Sequence, residues 1–474
     1  MENKLKYPEQ TLKPVVVIGA GISGLCVAHW LKQKDISVTL LEKESQPGGT
    51  MKTLKENGWL VEMGPNSALE TTPLIGELIS DLDLKSEHVY ANESADKRYV
   101  VRNGFLHPIP MSFGKFLSTR LWTSGGKLQL LKEPFVGKAL KEESVAEFVR
   151  RRLGREFLDY AIDPFVAGVY AGDPDKLSVR TAFPKLYALE EKYGGLVKGM
   201  FRSRKERKER KELSKDRARL FSFVNGMQIL PLRIAAELGE SVKFNCTVRS
   251  IVPMRNGNNP VYTITYYEND VRKTTEADVV VLSSTAYSTA NIIQSIDPGM
   301  AQTLESIYYP PVAEVFLGFE EKQIGRPLDG FGYLVPRVEH RNILGTIWSS
   351  TLFPYRAPDN HVALTSFVGG ARQPELAAGE EEQIINLVID ELKSTMGIEG
   401  FPVYTKIIRW EKAIPQYNLG YFKVLNAIDR FEANFRGAFI SSNFRGGIAV
   451  GDCIMNADKT VEKISQYLNM ILSK

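Results

Sequence analysis

The feature that most narrows the fold lies near the amino end, where Val15-Val16-Val17-Ile18 runs directly into Gly19-Ala20-Gly21-Ile22-Ser23-Gly24. Four consecutive apolar, β-branched residues suit a strand buried on both faces. A bare G-x-G-x-x-G is a weak pattern, but this one has the right surroundings. Leu25, Ala28 and Leu31 follow at helical spacing, Ser37 to Leu41 reads as a second strand, and that strand ends on Glu42. Gly19 permits the tight turn, Gly21 lets backbone approach a pyrophosphate, and Gly24 lets helix and strand pack closely. Free N–H groups at the helix start then face the diphosphate. Glu42 follows Gly19 by 23 residues, where a carboxylate accepts ribose hydroxyls. Its charge disfavours a 2′-phosphorylated nucleotide. Gly19, Ala20, Gly21, Ile22, Ser23, Gly24 and Glu42 are therefore the predicted dinucleotide contacts.

At 474 residues the chain is long enough for two or three domains. With 43% apolar and 24% charged residues it reads as globular with a large core, which excludes disordered classes. No apolar run approaches the length of a spanning helix, and Met1 to Pro14 lacks the apolar core of a secretory signal. Cys26, Cys246 and Cys453 are too widely spaced for a disulfide framework or a metal cluster, so no metal is expected. The expected location is cytoplasmic. The net charge is +4, yet Lys198 to Arg219 alone holds 11 basic against 4 acidic residues. That run reads as a solvated face with Glu206/Arg210 and Lys208/Glu212 at helical spacing, or as a contact for anionic lipid headgroups. Without interleaved aromatics it is not a nucleic-acid footprint.

Along the chain the pattern changes character several times. Tyr90 to about Phe221 reads as a largely helical insertion, with a helix over Val145–Leu158 and a turn-rich loop at Gly168–Pro174. Ser241–Val252, Val261–Tyr267 and Ala277–Ser283 read as strands, with Asp278 an end-cap of the last. Val315–Phe319, Gly332–Val335 and Ala363–Phe367 alternate as half-buried strands of an antiparallel sheet with one face on a cavity. Glu382–Met396 reads as a helix. Ala438–Ser441 is a short buried strand before Asn443-Phe444-Arg445-Gly446-Gly447-Ile448-Ala449-Val450-Gly451-Asp452-Cys453, with a helix from about Ile454. Small residues there let a helix start offer N–H groups to a flat or anionic ligand. Cys453 beside that start reads as packing rather than a covalent cofactor link.

Gly48-Gly49 and the turn Glu62-Met63-Gly64-Pro65-Asn66-Ser67 resemble the two-dinucleotide-binding flavoproteins of the flavin amine oxidase superfamily. The resemblance narrows with Arg-Arg-Leu-Gly at 151–154, Gly-Val-Tyr-Ala-Gly-Asp at 168–173, Gly-Met-Gln at 226–228, Gly-Phe-Gly-Tyr-Leu-Val-Pro at 330–336, Phe-Val-Gly-Gly at 367–370 and Asn-Phe-Arg-Gly-Gly at 443–447. Together these look like the protoporphyrinogen oxidase family, across essentially the whole chain; the length of the basic run departs from it.

That resemblance implies an α/β (α+β) fold: a Rossmann-like FAD-binding domain in three parts (1–89, 222–300, 410–474), a helical insertion (90–221) and an antiparallel-sheet substrate domain (301–409). It implies one non-covalent FAD, gripped by both ends of the chain. It adds Lys43, Gly49, Thr50, Gly64, Pro65, Asn66, Ser67, Val248, Trp410, Asn443, Ile448, Ala449 and Val450 to the cofactor contacts. It implies six-electron oxidation of protoporphyrinogen IX with dioxygen reduced to hydrogen peroxide, coproporphyrinogen III being the close variant. Arg98 is implied as the propionate partner, with Ala171, Gly172, Leu334, Ile347 and Phe367 against the macrocycle. Asn66 is the weak candidate for orienting the substrate, and no base is designated. A peripheral membrane contact, a haem-pathway partner such as ferrochelatase, and a homodimer are further expectations. A different amine or carotenoid oxidase, and a prenylated-GTPase chaperone of the same fold, are the alternatives.

Overall fold

A computed structural model describes residues 12–200, 202, 218–256 and 259–473. Most of the basic run 198–219 lies outside the described residues. A five-stranded sheet forms the floor of the molecule, in the order Val242–Lys243, Val38–Leu41, Val15–Ile18, Val279–Leu282, Ala438–Ile440. Every pairing in it is parallel. Successive residues of its buried runs point to opposite sides. Val15, Val17, Val279 and Val281 pack under the helices Ile22–Gln33, Ile229–Leu238 and Val450–Leu472. Val16, Ile18, Val280 and Leu282 face Tyr262 and Ile264 of an antiparallel three-stranded sheet and the helix Ala286–Ile293. This double burial is why the strands read as unbroken apolar runs. Asp278 accepts the Lys13 backbone N–H at 2.8 Å, an end-cap as expected.

A seven-stranded sheet stands over the floor, ordered Tyr404–Trp410, Val312–Glu320, His361–Gly369, Gly345–Ile347, Gly330–Leu334, Lys97–Arg102, Phe105–Pro108. Its pairings are antiparallel except that Gly330–Leu334 runs parallel to Lys97–Arg102. One face, with Tyr99, Val101, Val315, Leu317, Tyr333 and Leu364, is sealed by the helix Glu381–Met396.

Several expectations need correcting. Residues 97–108 are two strands of the seven-stranded sheet and not the start of a helical insertion, because Tyr99 and Val101 alternate with Arg98 and Val100 to supply two faces. Gly168–Tyr170 is the last turn of the helix Asp163–Tyr170, and the chain turns only at Ala171, in the left-handed region at φ 47°. The helix expected over Val145–Leu158 ends at Arg152; Gly154, at φ 91°, breaks it before a short turn of helix resumes at Arg155. The carboxy-terminal helix starts at Val450, four residues before Ile454.

Candidate functional site

The first glycine turn has the shape its spacing demands. Gly19 sits at φ 105° with an added Cβ only 3.1 Å from Ser283 backbone. At Gly24 an added Cβ would lie 2.0 Å from the Gly19 carbonyl oxygen, so helix and strand meet there without a side chain between them. At Gly21 an added Cβ would meet nothing within 4 Å. The middle glycine therefore borders open space, at the start of a helix whose N-cap makes no side-chain hydrogen bond. Gly48 donates its N–H to the Ala20 carbonyl at 2.8 Å, and Gly49 at φ 60° comes against Gly21. Gly49, Thr50 and Lys43 are exposed along this groove.

Glu42 is buried at the end of the second strand. Its carboxylate accepts the Ala20 N–H at 2.6 Å and the Glu44 N–H at 2.9 Å. It thus orders the glycine turn while keeping acceptor capacity for ribose hydroxyls. Cys246 and Asn245 donate their N–H groups to the carbonyls of Glu42 and Glu44, which brings half-buried Val248 in beside the groove. A cavity of about 880 Å³ lined by Lys43, Thr247 and Arg249 opens next to it.

The second half of the groove is built from distant segments. Gly64 approaches the Thr50 carbonyl so closely that an added Cβ would lie 2.1 Å from it. Asn66 folds its side-chain amide back onto the Gly64 carbonyl at 3.1 Å, with Pro65 and Ser67 half-buried beside it. Trp410 donates its indole N–H to the Met63 carbonyl at 3.0 Å, tying the seven-stranded sheet to this turn. At the other side Tyr417 donates its hydroxyl to the Asn443 carbonyl at 2.6 Å and accepts the Gly447 N–H, while Tyr421 holds the Phe444 carbonyl. Burial pushes both phenols well above their usual range. Tyr417 and Tyr421 went unnoticed in the sequence because only the fold brings them under the 443–447 loop. Ile448 and Ala449 then lead into a second helix without a side-chain cap, starting at Val450. Two open helix starts of this kind favour anionic groups. The Cys453 thiol is buried below the second, pushed up to about 11 chiefly by burial, with the Ser23 hydroxyl pulling the other way. The open space at Gly21, the two free helix starts and the Glu42 carboxylate fit a dinucleotide running between the two ends of the chain.

The uncovered face of the seven-stranded sheet borders this groove. Register puts Arg98 beside Gly332, Gly332 beside Ile347, Leu334 beside Gly345, and Gly345 beside Phe367. Arg98, Leu334, Ile347 and Phe367 therefore share one face. The three apolar side chains are half-buried, and Arg98 is exposed, 5.9 Å over the Phe331 ring, with no ion pair among the described residues. Ala171 reaches the same face: Ala371 donates its N–H to the Ala171 carbonyl at 2.7 Å, and Gly168 packs on Leu334. Gly172 is different. It is buried against Gln416 and Leu177, so it holds the turn and does not line open space.

Where the face meets the turn at Met63, the fold buries charge. Glu62 accepts from Thr53 at 2.7 Å and from the Met227 N–H at 2.9 Å, with Arg356 at 3.5 Å. Burial pushes the Glu62 carboxyl up to about 7, against the pull of Arg356. Glu314, from the strand Val312–Glu320, is buried beside it and raised well above the carboxylate range, first by burial and then by Glu62.

Comparison with known proteins agrees with this arrangement. A family model described as flavin containing amine oxidoreductase matches residues 22–454. The chain is 33% identical over 481 residues to protoporphyrinogen oxidase 2 of Arabidopsis thaliana, covering 96% of this chain and 94% of that one. It is 34% identical to the mitochondrial protoporphyrinogen oxidase of Nicotiana tabacum (97% and 96% covered). It is 29% identical to coproporphyrinogen III oxidase of Bacillus subtilis (96% and 98% covered). Among solved structures, a protein of Exiguobacterium sp. 255-15 superposes with a TM-score of 0.78 at 23% identity, over 97% of this chain and 99% of that one. Reduced UDP-galactopyranose mutase superposes at 0.71 with 16% identity, over 96% of each chain. These likenesses under 25% speak for the fold alone.

Proposed function

This chain belongs to the flavin containing amine oxidoreductase family, and from that premise we propose that it is an FAD-dependent oxidase of porphyrinogens, with protoporphyrinogen IX as substrate and dioxygen as final acceptor. The observation that carries this reading is the common face of Arg98, Leu334, Ile347 and Phe367, set against a dinucleotide groove. A porphyrinogen is a broad apolar macrocycle with carboxylates at its rim, and half-buried aliphatic and aromatic side chains beside one free guanidinium suit it. FAD held along Gly21, Glu42 and the helix start at Val450 would supply a two-electron acceptor for a methylene bridge of the macrocycle. The chain's own part is positioning. Trp410 fixes the turn at Met63 against the sheet, Ala171 and Gly370 fix the loop at the far rim, and Arg98 holds a propionate so that one bridge faces the groove.

Purified protein, given anaerobically prepared protoporphyrinogen IX or coproporphyrinogen III, is expected to generate porphyrin fluorescence with matching oxygen uptake on air admission. Faster turnover of the tetra-carboxylate would move the assignment to the coproporphyrinogen variant. No turnover of either, with FAD bound, would overturn the reading. Arg98→Ala is expected to raise KM on the order of tenfold or more, the loss of one charge-assisted hydrogen bond, with FAD content unchanged. Loss of FAD in that variant would contradict the role of Arg98.

Among the described residues no helix is long and apolar enough to cross a membrane. Between residues 105 and 140, however, Phe105, Met111, Phe113, Leu131, Phe135 and Leu140 are strongly exposed, Phe135 to 89%. Lys115, Lys127, Lys132 and Lys138 are interspersed among them. Apolar side chains with interleaved lysines suit the interface of an anionic bilayer, and a poorly soluble macrocycle gains by being taken from one. Cosedimentation with vesicles containing anionic lipid is expected, and Phe113→Ser with Phe135→Ser should reduce it severalfold. Equal recovery with and without vesicles would exclude a peripheral membrane location in favour of the bulk cytoplasm.

A further inference from the structure

The strand Val312–Glu320 reads Val-Ala-Glu-Val-Phe-Leu-Gly-Phe-Glu, and its third residue breaks the apolar pattern of an otherwise buried strand. Val312, Glu314, Phe316 and Gly318 lie on the face turned away from the helix Glu381–Met396, where Trp59 packs on Phe316 and Gly318, opposite Ala313, Val315, Leu317 and Phe319. In the register Glu314 stands between Phe367 on one neighbouring strand and Ile408 on the other. Ile408 in turn packs in the cluster that includes Met63 and Trp410. Glu314 therefore occupies the seam between the substrate face and the turn that borders the cofactor groove. It is 6% exposed, and its Oε2 has no hydrogen-bond partner among the described residues.

A buried carboxyl without a partner is costly, because the hydrogen bond it gave up to water is not replaced. The polar groups packed around the nearby Glu62 are committed elsewhere. Thr53 and the Met227 N–H serve Glu62, and Arg356 serves Glu62, Ser222 at 2.7 Å and the Phe223 carbonyl. Its flanks are the Glu62 carboxyl, which acts on it electrostatically, and half-buried Phe367 on the proposed substrate face. Such a group is retained where a bound molecule completes it.

We propose that Glu314 is the general base of the oxidation, taking the pyrrole N–H proton that must leave when an adjacent methylene bridge gives up hydride. This rests on the porphyrinogen reading above. Each two-electron pass removes one hydride and one proton from the macrocycle; three passes take three bridge hydrides and three N–H protons, and a final shift of the last bridge hydrogen onto nitrogen leaves the four methine bridges and two N–H groups of the porphyrin. The N–H bond breaks, its electron pair stays on nitrogen and neutralises the cation left by hydride loss, and an O–H bond forms on Glu314. The hydride electrons pass by way of FAD to dioxygen. The peroxide so formed needs two protons: one is the transferred hydrogen, and Glu314 returns the other, which resets it for the next pass. Burial first, and Glu62 second, raise the proton affinity of Glu314, which strengthens it as a proton acceptor.

The test compares the FAD-loaded wild type with Glu314→Gln and Glu314→Asp. Glu314→Gln is expected to lower kcat on the order of 10²- to 10⁴-fold at unchanged FAD content and similar KM, and to erase the acidic limb of the kcat/KM profile. Glu314→Asp should restore part of the rate and the limb. Independently of turnover, infrared difference spectra of the substrate-free protein between high and low pH should show a carboxylate-to-carboxyl conversion that is missing from Glu314→Gln. A wild type that turns over while Glu314→Gln keeps kcat within about threefold and retains the limb overturns the role of Glu314 alone, as does a conversion unchanged by the substitution. A wild type with bound FAD that oxidises neither porphyrinogen overturns the functional reading, and this role with it.

Discussion

Gly21→Val is expected to yield a folded, colourless protein. Gly21 adopts φ −71° and ψ 171°, extended backbone that a β-branched residue accepts, and its added Cβ meets nothing within 4 Å. The ligand-free fold therefore tolerates the change. The new side chain stands instead at the open start of the helix Ile22–Gln33, in the space assigned to the diphosphate. FAD affinity should fall on the order of a hundredfold or more, beyond about 2.7 kcal/mol, and oxidase activity with it. Thermal melting should match that of wild type stripped of FAD. Gly24→Val makes the contrasting control: its Cβ would lie 2.0 Å from the Gly19 carbonyl oxygen, so it should lose folded protein and not merely cofactor. A yellow Gly21→Val protein with wild-type flavin content would show that the diphosphate does not lie there.

The second large effect is on stability. Arg152 is fully buried in the helix Val145–Arg152, where its guanidinium meets Glu133 at 2.8 Å and also pairs with Glu190. Glu133 also accepts the Leu196 N–H at 2.6 Å and the Val197 N–H at 3.1 Å, and Glu190 accepts the Ala139 N–H at 3.0 Å. One cation thus closes a knot joining three separate stretches, 133–139, 145–152 and 190–197, of the middle of the chain. Arg152→Ala leaves the buried Glu133 carboxylate without a cation and Glu190 with Arg151 alone, and should cost about 3–5 kcal/mol, read from the midpoint shift in urea unfolding. Arg150→Ala, two residues away but half-exposed and 3.7 Å from Asp175, should cost less than about 1 kcal/mol. Equal losses in the two variants would contradict the assigned burial of charge.

Much of this was legible in the sequence because the relevant physics is local. The parallel strands show as unbroken apolar runs, and the first glycine turn carries its roles in its spacing. The mixed α/β class and the flavin family followed from those runs and the terminal motifs. What escaped is set by distant pairing. Lys97–Arg102 was absorbed into a helical insertion because the partner that makes it a strand, Gly330–Leu334, lies more than two hundred residues on. Gly172 was taken for a lining residue, yet Gln416 closes over it. Arg98, Leu334, Ile347 and Phe367 were named singly from the resemblance, and only the register puts them on one face. Glu314 was passed over, although a signal existed: a lone acid in the third place of an apolar alternation, where propensity gives no reason for it.

The same pairings explain why the groove has two halves. The glycine turn and Glu42 come from the amino end, and the loop 443–447 with its helix start comes from the carboxy end. Trp410 joins the turn at Met63 to the sheet, while Tyr417 and Tyr421 hold the loop 443–447. A chain built this way ties the sheet to the groove through buried side chains anchored on backbone, the Trp410 indole on the Met63 carbonyl and the Glu62 carboxylate on the Met227 N–H.

The most direct trial of the whole account is a single anaerobic mixing of FAD-loaded protein with protoporphyrinogen IX, followed by flavin absorbance. The account requires the yellow colour to bleach as porphyrin precursors form, and to return when air is admitted. Flavin that stays oxidised with both protoporphyrinogen IX and coproporphyrinogen III would contradict it.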